Sequence, residues 1–199
     1  MNNFIKKIIE SGSNIGIPTV IIGGLALPAY NVARSTLDID ICIYVDSQDQ
    51  LNKFVTNLKK KNIYTKQKPK ITHDLFVVFE KKNEAEIWLK PCDAFDWDKK
   101  MLNKTRSFQE NLEVLAVEDF IITKLGRTDR SSIDISDILQ ILIANKDNID
   151  WKYLQYRLDW IGLTDDFVEI INVFSLDIDS RYRNMAKSVV DKFKKSNEE

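Results

Sequence analysis

Two aspartates separated by a single isoleucine, Asp38 and Asp40, lie inside a run from Leu37 to Val45 that otherwise reads as a β-strand. Side chains alternate along a strand, so this reading sends Asp38 and Asp40 to one face, their α-carbons about 6–7 Å apart. Ile39, Ile41 and Ile43 then pack the other face. Like charges at that spacing repel and raise each other's pKa unless a cation lies between them. Mg²⁺ meets the need, because it is a hard ion bound through one or two carboxylates and completed by water and phosphate oxygens. A third carboxylate on a neighbouring strand would allow two ions about 3.5–4 Å apart, which clamp the attacking and leaving oxygens of a phosphoryl displacement.

The residues upstream suit the same chemistry. Thr19 to Ile22 is a short apolar run that reads as a buried strand, and Gly23-Gly24 then turns the chain into a short helix. Backbone N–H groups without side chains in the way approach phosphate oxygens closely. A glycine pair is also an ordinary turn, and an isolated Asp-x-Asp is also an ordinary surface feature. Their order here, strand, glycines, helix, then two carboxylates on the next strand, favours a joint site.

The remaining pattern divides the chain near residue 115. A first amphipathic helix carries Phe4, Ile5, Ile8 and Ile9 and ends near Gly12. Ser47 with Gln50 forms a capping box ahead of Leu51, Phe54, Val55 and Leu58. Asp74 to Glu80 and Glu84 to Leu89 flank Lys81-Lys82-Asn83 and read as a hairpin, and Leu112 to Val117 reads as a further strand. From Glu118 the apolar period is helical, with five helices anchored by Phe120, Ile138, Leu154, Ile171 and Val189. The expected architecture is α+β: a mixed sheet with flanking helices over residues 1–115, followed by a helical bundle over 116–199.

The arrangement resembles the nucleotidyltransferase superfamily with the polymerase-β-like fold. The resemblance lies in Ile22-Gly23-Gly24, thirteen intervening residues, and Asp38-Ile39-Asp40-Ile41. The stretch Arg34 to Asp40 is similar in particular to abortive-infection toxin-type nucleotidyltransferases, and Glu118 to Leu125 extends the likeness into the helical half. The resemblance implies transfer of a nucleoside monophosphate from an NTP to an acceptor hydroxyl, with pyrophosphate leaving. It implies Mg²⁺ or Mn²⁺ on Asp38 and Asp40, and phosphate held by Gly23 and Gly24. Arg34 either reaches phosphate or pairs with an aspartate; Thr36 either belongs to the site or simply suits a β-bridge. Lys124 either lies along the core edge or reaches the triphosphate as in related enzymes. The implied acceptor is an RNA such as tRNA, a protein, or a small molecule such as an antibiotic, and a cognate antitoxin is an implied partner. The alternative is an inactive nucleotidyltransferase-like module that only binds nucleotide or a partner.

Relatives carry a third carboxylate on a later strand, and Glu86 is the candidate here, with Asp74 second. By alternation Glu86 shares its face with Trp88. Were Trp88 the residue beside the aspartates, no third ligand would exist. Arg127, Asp129, Arg130, Asp134 and Asp137 read as solvated salt bridges. The lysines from Lys59 to Lys70 read either as a solvated helix end and loop or as contacts to an RNA backbone.

Composition excludes other classes. With 29 Lys plus Arg against 30 Asp plus Glu the formal charge is -1, so no global attraction to nucleic acid or membrane is implied. His73 is the only histidine, and Cys42 and Cys92 lack metal-binding spacing, which argues against a catalytic triad or a zinc site. No apolar run approaches the roughly 20 residues of a membrane span. A cytoplasmic location is expected.

Overall fold

The structure is a computed structural model that describes residues 2–109, 112–177 and 180–196. In chain order the first elements are α1 (Asn3–Ser13), β1 (Thr19–Ile21), α2 (Gly23–Ala26) and a 3₁₀ turn (Leu27–Tyr30). Next come β2 (Asp40–Ile43), α3 (Gln48–Lys60), β3 (Tyr64–Thr65), β4 (Leu75–Glu80) and β5 (Asn83–Trp88). They are followed by α4 (Lys99–Asn103), β6 (Arg106–Gln109) and β7 (Leu112–Val114). Among the described residues five helices follow: α5 (Val117–Leu125), α6 (Ser132–Asn145), α7 (Trp151–Ile161), α8 (Thr164–Asp177) and α9 (Ser180–Ser196). Two compact units result. One comprises Met1–Ala26 with Arg34–Leu115, and the other Leu27–Ala33 with Ala116–Glu199.

In the first unit the strands form one mixed sheet in the order β3-β4-β5-β2-β1-β7-β6. The carboxylate-bearing strand β2 sits inside it, parallel to β5 and antiparallel to β1. One face of β2, β5 and β4 carries a buried apolar layer: Ile41, Ile43, Ala85, Ile87, Phe76 and Val78. The helices α1 and α3 pack on each other and on β1 and β3, adding Phe4, Ile8, Leu51, Phe54 and Leu58 to the interior. The Asn2 side chain accepts from the Phe4 N–H at 3.0 Å and starts α1, as its short polar side chain is suited to do. Ser47 starts α3 by accepting from the Gln50 N–H at 3.3 Å. The Gln50 side chain accepts from the Asp46 N–H instead of closing a capping box on Ser47.

The sequence reading needs correction at several boundaries. The strand expected over Leu37 to Val45 is limited to Asp40–Ile43, and Leu37 is 98% exposed. The last strand stops at Val114 because the α5 helix already begins at Val117. The short elements β3, α4 and β6 give no clear period in the sequence and were not expected. Residues Leu27–Ala33 lie with the helical unit, although a single cut near residue 115 separates the sequence patterns. Their attachment is physical: the Tyr30 ring stacks on Phe120 at 4.5 Å, and the Asn145 amide donates to the Tyr30 carbonyl at 2.7 Å.

The helical unit also buries charge. Arg157, 1% exposed, places Nε 2.8 Å from Oδ1 of the fully buried Asp119, and the Tyr153 hydroxyl donates to the same carboxylate. Lys124 lies between Asp134 (3.1 Å) and Asp137 (3.0 Å). These two aspartates, read from sequence as solvated, are buried; the solvated reading fits the Arg127–Asp129 pair, which is exposed on both sides. Among the described residues no helix is long and apolar enough to cross a membrane.

Removing one partner of a buried ion pair strands the other charge, at a cost of about 3–5 kcal/mol. Arg157→Ala is therefore expected to lower unfolding stability by that amount in denaturant titration, and a loss below about 1 kcal/mol would contradict the buried pairing. A second expectation concerns acid. Burial pushes the Asp134 carboxyl up, but the Ser131 N–H and the Lys124 ammonium outweigh it and hold the group below its ordinary value. A depressed carboxylate stabilises the fold at neutral pH, and that contribution fades as pH falls below about 4 through the folded-state value. Asp134→Asn is expected to make the acid limb of a stability-against-pH curve shallower; an unchanged limb would refute the linkage.

Candidate active site

Asp40 opens β2, and in the parallel register its partner on β5 is Glu86. Adjacent strands lie about 4.8 Å apart, and partners across a ladder point to the same face. Asp40 and Glu86 thus stand side by side, both half-buried, on the face opposite the Ile41, Ile87 and Phe76 layer. The next partners on that face are Cys42 and Trp88. Register, not Trp88, therefore puts a carboxylate beside Asp40. The indole N–H of Trp88 donates to Glu86 Oε2 at 3.1 Å. Asp74, the second choice for this role, instead lies 2.9 Å from the Lys90 ammonium at the end of the hairpin.

On the other side of Asp40 is the glycine turn. Pairing between β1 and β2 continues through the Ile22 N–H, which donates to the Asp40 carbonyl at 3.0 Å. The chain then turns at Gly23 with φ +62°, a left-handed conformation that glycine adopts without strain. A Cβ on Gly23 would stand 2.0 Å from Asp40 Oδ2 and 2.8 Å from its Cγ. The Asp40 carboxylate thus occupies the space where a side chain would be. A Cβ on Gly24 would stand 3.0 Å from Cβ and Cγ2 of Thr36, so the two glycines let the incoming segment lie directly against the turn.

That segment also sets Asp38. Asp38 is exposed and precedes β2, so strand alternation does not place it beside Asp40 as the sequence reading supposed. It is held by the Thr36 hydroxyl, which accepts from the Asp38 N–H at 3.2 Å. The next residue is already sheet-bound, since the Ile39 carbonyl accepts from the Glu86 N–H at 2.9 Å. Thr36 therefore packs on Gly24 and ties Asp38 to the strand entry, a different role from the β-bridge suggested by its residue type. Arg34 is exposed on the same segment.

The structure thus brings Gly23, Asp40 and Glu86 together in the first unit, with Thr36 against Gly24 and Asp38 on the same segment, two residues before Asp40. Lys124 belongs to the second unit, and its ammonium is committed to Asp134 and Asp137. Of the two readings the sequence left open for Lys124, core edge or triphosphate contact, the buried ion pairs are what the structure shows. Trp88 was recognised as a face-sharing neighbour of Glu86, but not as its hydrogen-bond donor; the i, i+2 spacing of the two was the available signal.

Asp38, Asp40 and Glu86 supply the hard oxygen donors that Mg²⁺ prefers. Among the described residues no three His, Cys, Asp or Glu side chains are gathered into a preformed metal site. Asp40 and Glu86, paired across two strands, are donors of the kind that suits an ion taking one or two protein carboxylates and completing its shell with water and phosphate oxygens. They do not fit a closed structural site of the zinc type.

The match of a nucleotidyltransferase family model over nearly the whole chain makes the protein a nucleotidyltransferase-type transferase. The chain belongs to the family described as "Nucleotidyltransferase of unknown function (DUF6036)", which matches residues 1–189. A solution structure of the antibiotic-resistance factor ANT(2'')-Ia is similar in fold, with TM-score 0.50 and 14% identity over 82% of this chain and 95% of that one. A crystal structure of ANT(2'')-Ia in complex with adenylyl-2''-tobramycin gives TM-score 0.51 and 12% identity over 79% and 94% of the two chains. No curated protein matches the sequence.

Gly16 and Gly23 together test the contact between turn and carboxylate. Both have positive φ, but a Cβ at Gly16 meets nothing within 4 Å. Gly16→Ala is expected to cost only the left-handed backbone strain of about 1–2 kcal/mol. Gly23→Ala adds displacement of the Asp40 carboxylate and is expected to cost more in the same denaturant titration. Equal losses would show that Gly23 is not packed on Asp40.

Proposed function

We propose that the protein transfers a nucleoside monophosphate from an NTP to an acceptor hydroxyl. The observation that carries the reading is the row of Gly23, Asp40 and Glu86 across three consecutive positions of one unit: turn, first carboxylate, second carboxylate. Phosphate oxygens would lie on the glycine side, against the backbone N–H groups of Gly23 and Gly24, which carry no side chains of their own, with Arg34 as a further cation on the segment that follows. The acceptor would approach on the Glu86 side. Its hydroxyl oxygen bonds to the α-phosphorus, the bond from that phosphorus to the bridging oxygen of the β-phosphate breaks, and pyrophosphate carries away the electron pair. Glu86 would receive the acceptor proton. Asp38 and Asp40, with Glu86 as third carboxylate, would hold Mg²⁺ or Mn²⁺, which when bound neutralises triphosphate charge and lowers the pKa of the attacking hydroxyl.

The first acceptor to test is a small molecule, since the ANT(2'')-Ia complex contains an adenylylated one, tobramycin. RNA and protein hydroxyls are the others, the protein case including a toxin-like role with an antitoxin partner. The lack of a gathered three-ligand metal site among the described residues keeps one second reading in play, a module that binds nucleotide without transferring it.

The test is incubation with each α-labelled NTP and Mg²⁺ or Mn²⁺, offering in parallel an aminoglycoside panel, total RNA and total protein. Label is expected in one of the three pools, and Asp38→Asn with Asp40→Asn is expected to reduce it at least about 100-fold, in line with the several kcal/mol a catalytic metal supplies. NTP binding without label in any pool would select the binding module. Neither binding nor transfer would overturn both readings.

A further inference from the structure

We propose that Trp88 is a positioning residue for Glu86, an inference that rests on the reading of Asp40 and Glu86 as neighbouring carboxylates of the transfer site. A glutamate at this place has one more rotatable bond than an aspartate, and an unrestrained carboxylate samples several rotamers. The β5 ladder fixes the backbone of both residues, with Glu86 opposite Asp40 and Trp88 opposite Cys42 on one side, and with Val77 and Leu75 opposite them on β4. From that fixed backbone the Trp88 ring, half-buried beside the fully buried Cys42, presents its only polar hydrogen to Glu86 Oε2 at 3.1 Å. An N–H bonded to an ionised carboxylate is roughly twice as strong as a neutral pair. Trp88 thereby holds one oxygen of Glu86 and leaves Oε1 for the reaction. The indole replaces, by a hydrogen bond, the stiffness that a shorter side chain would have had by itself.

The test uses the full chain, ¹⁵N-labelled, and Mn²⁺ with ATP as the probe. Four tryptophans give four indole N–H resonances, and Trp88→Phe identifies one by its disappearance. Should that variant not fold, Phe replacements of Trp97, Trp151 and Trp160 identify it by elimination. In Glu86→Gln the Trp88 indole resonance is expected to move upfield, because the acceptor loses its charge, while those of Trp151 and Trp160 stay in place. An unmoved Trp88 resonance would overturn the proposal.

The second readout is the Kd for Mn²⁺ in the presence of ATP. Trp88→Phe is expected to weaken it roughly 10-fold, the lower end for loss of a group orienting a metal-site side chain, with thermal stability retained. Weakening by Glu86→Gln alone, with Trp88→Phe unchanged, would overturn the positioning role and leave the site standing. Absence of Mn²⁺·ATP binding by the unaltered protein would overturn the site reading and the positioning role with it.

Discussion

The α/β unit's site depends on a carboxylate lying in the space of a side chain that Gly23 does not have. Asp40 Oδ2 stands 2.0 Å from where a Gly23 Cβ would be, a distance only glycine permits. The left-handed φ of Gly23 and the closeness of Asp40 are thus one constraint seen from two strands. Because the Ile22 N–H is bonded to the Asp40 carbonyl, the turn cannot slide relative to the carboxylate. Because β2 runs parallel to β5 in a register that pairs Asp40 with Glu86, the second carboxylate follows from the first. Backbone hydrogen bonding thus keeps the glycine turn, Asp40 and Glu86 in adjacent positions.

Much of this was legible in the sequence, and the reason is that it is local. Strand, glycine pair and Asp-x-Asp lie within about two dozen residues, and each has a conformational requirement that its residue types express. The alternation in Glu86-Ile87-Trp88 correctly assigned faces on β5, and the C-terminal helices were read from the spacing of their apolar residues. The assignment of Asp38 to the strand failed because apolar alternation cannot show where ladder pairing stops. Thr36 supplies a side-chain acceptor to the Asp38 N–H in place of a neighbouring strand, and the chain enters the sheet only at Ile39 and Asp40.

What was not legible depends on contacts distant in sequence. Asp134 and Asp137 look like surface residues beside Arg127 and Arg130, and only tertiary packing closes them over Lys124. Arg157 lies on a helix with mixed polar residues, and its partner Asp119 is more than thirty positions away. Leu27–Ala33 follows the glycine turn directly, yet belongs to the helical unit through the Tyr30 ring and the Asn145 amide. Propensity and period carry no information on such pairings. Buried ion pairs are weak contributors to net stability even where breaking one is costly.

The central claim, that the carboxylates beside the glycine turn form a divalent-ion and triphosphate site, is tested most directly by crystals grown with Mn²⁺ and an NTP whose α–β bridge cannot be cleaved. Anomalous scattering should place manganese on Asp38 and Asp40, with triphosphate density against the Gly23-Gly24 backbone. Manganese and nucleotide found elsewhere on the chain, with these carboxylates unliganded, would contradict the account.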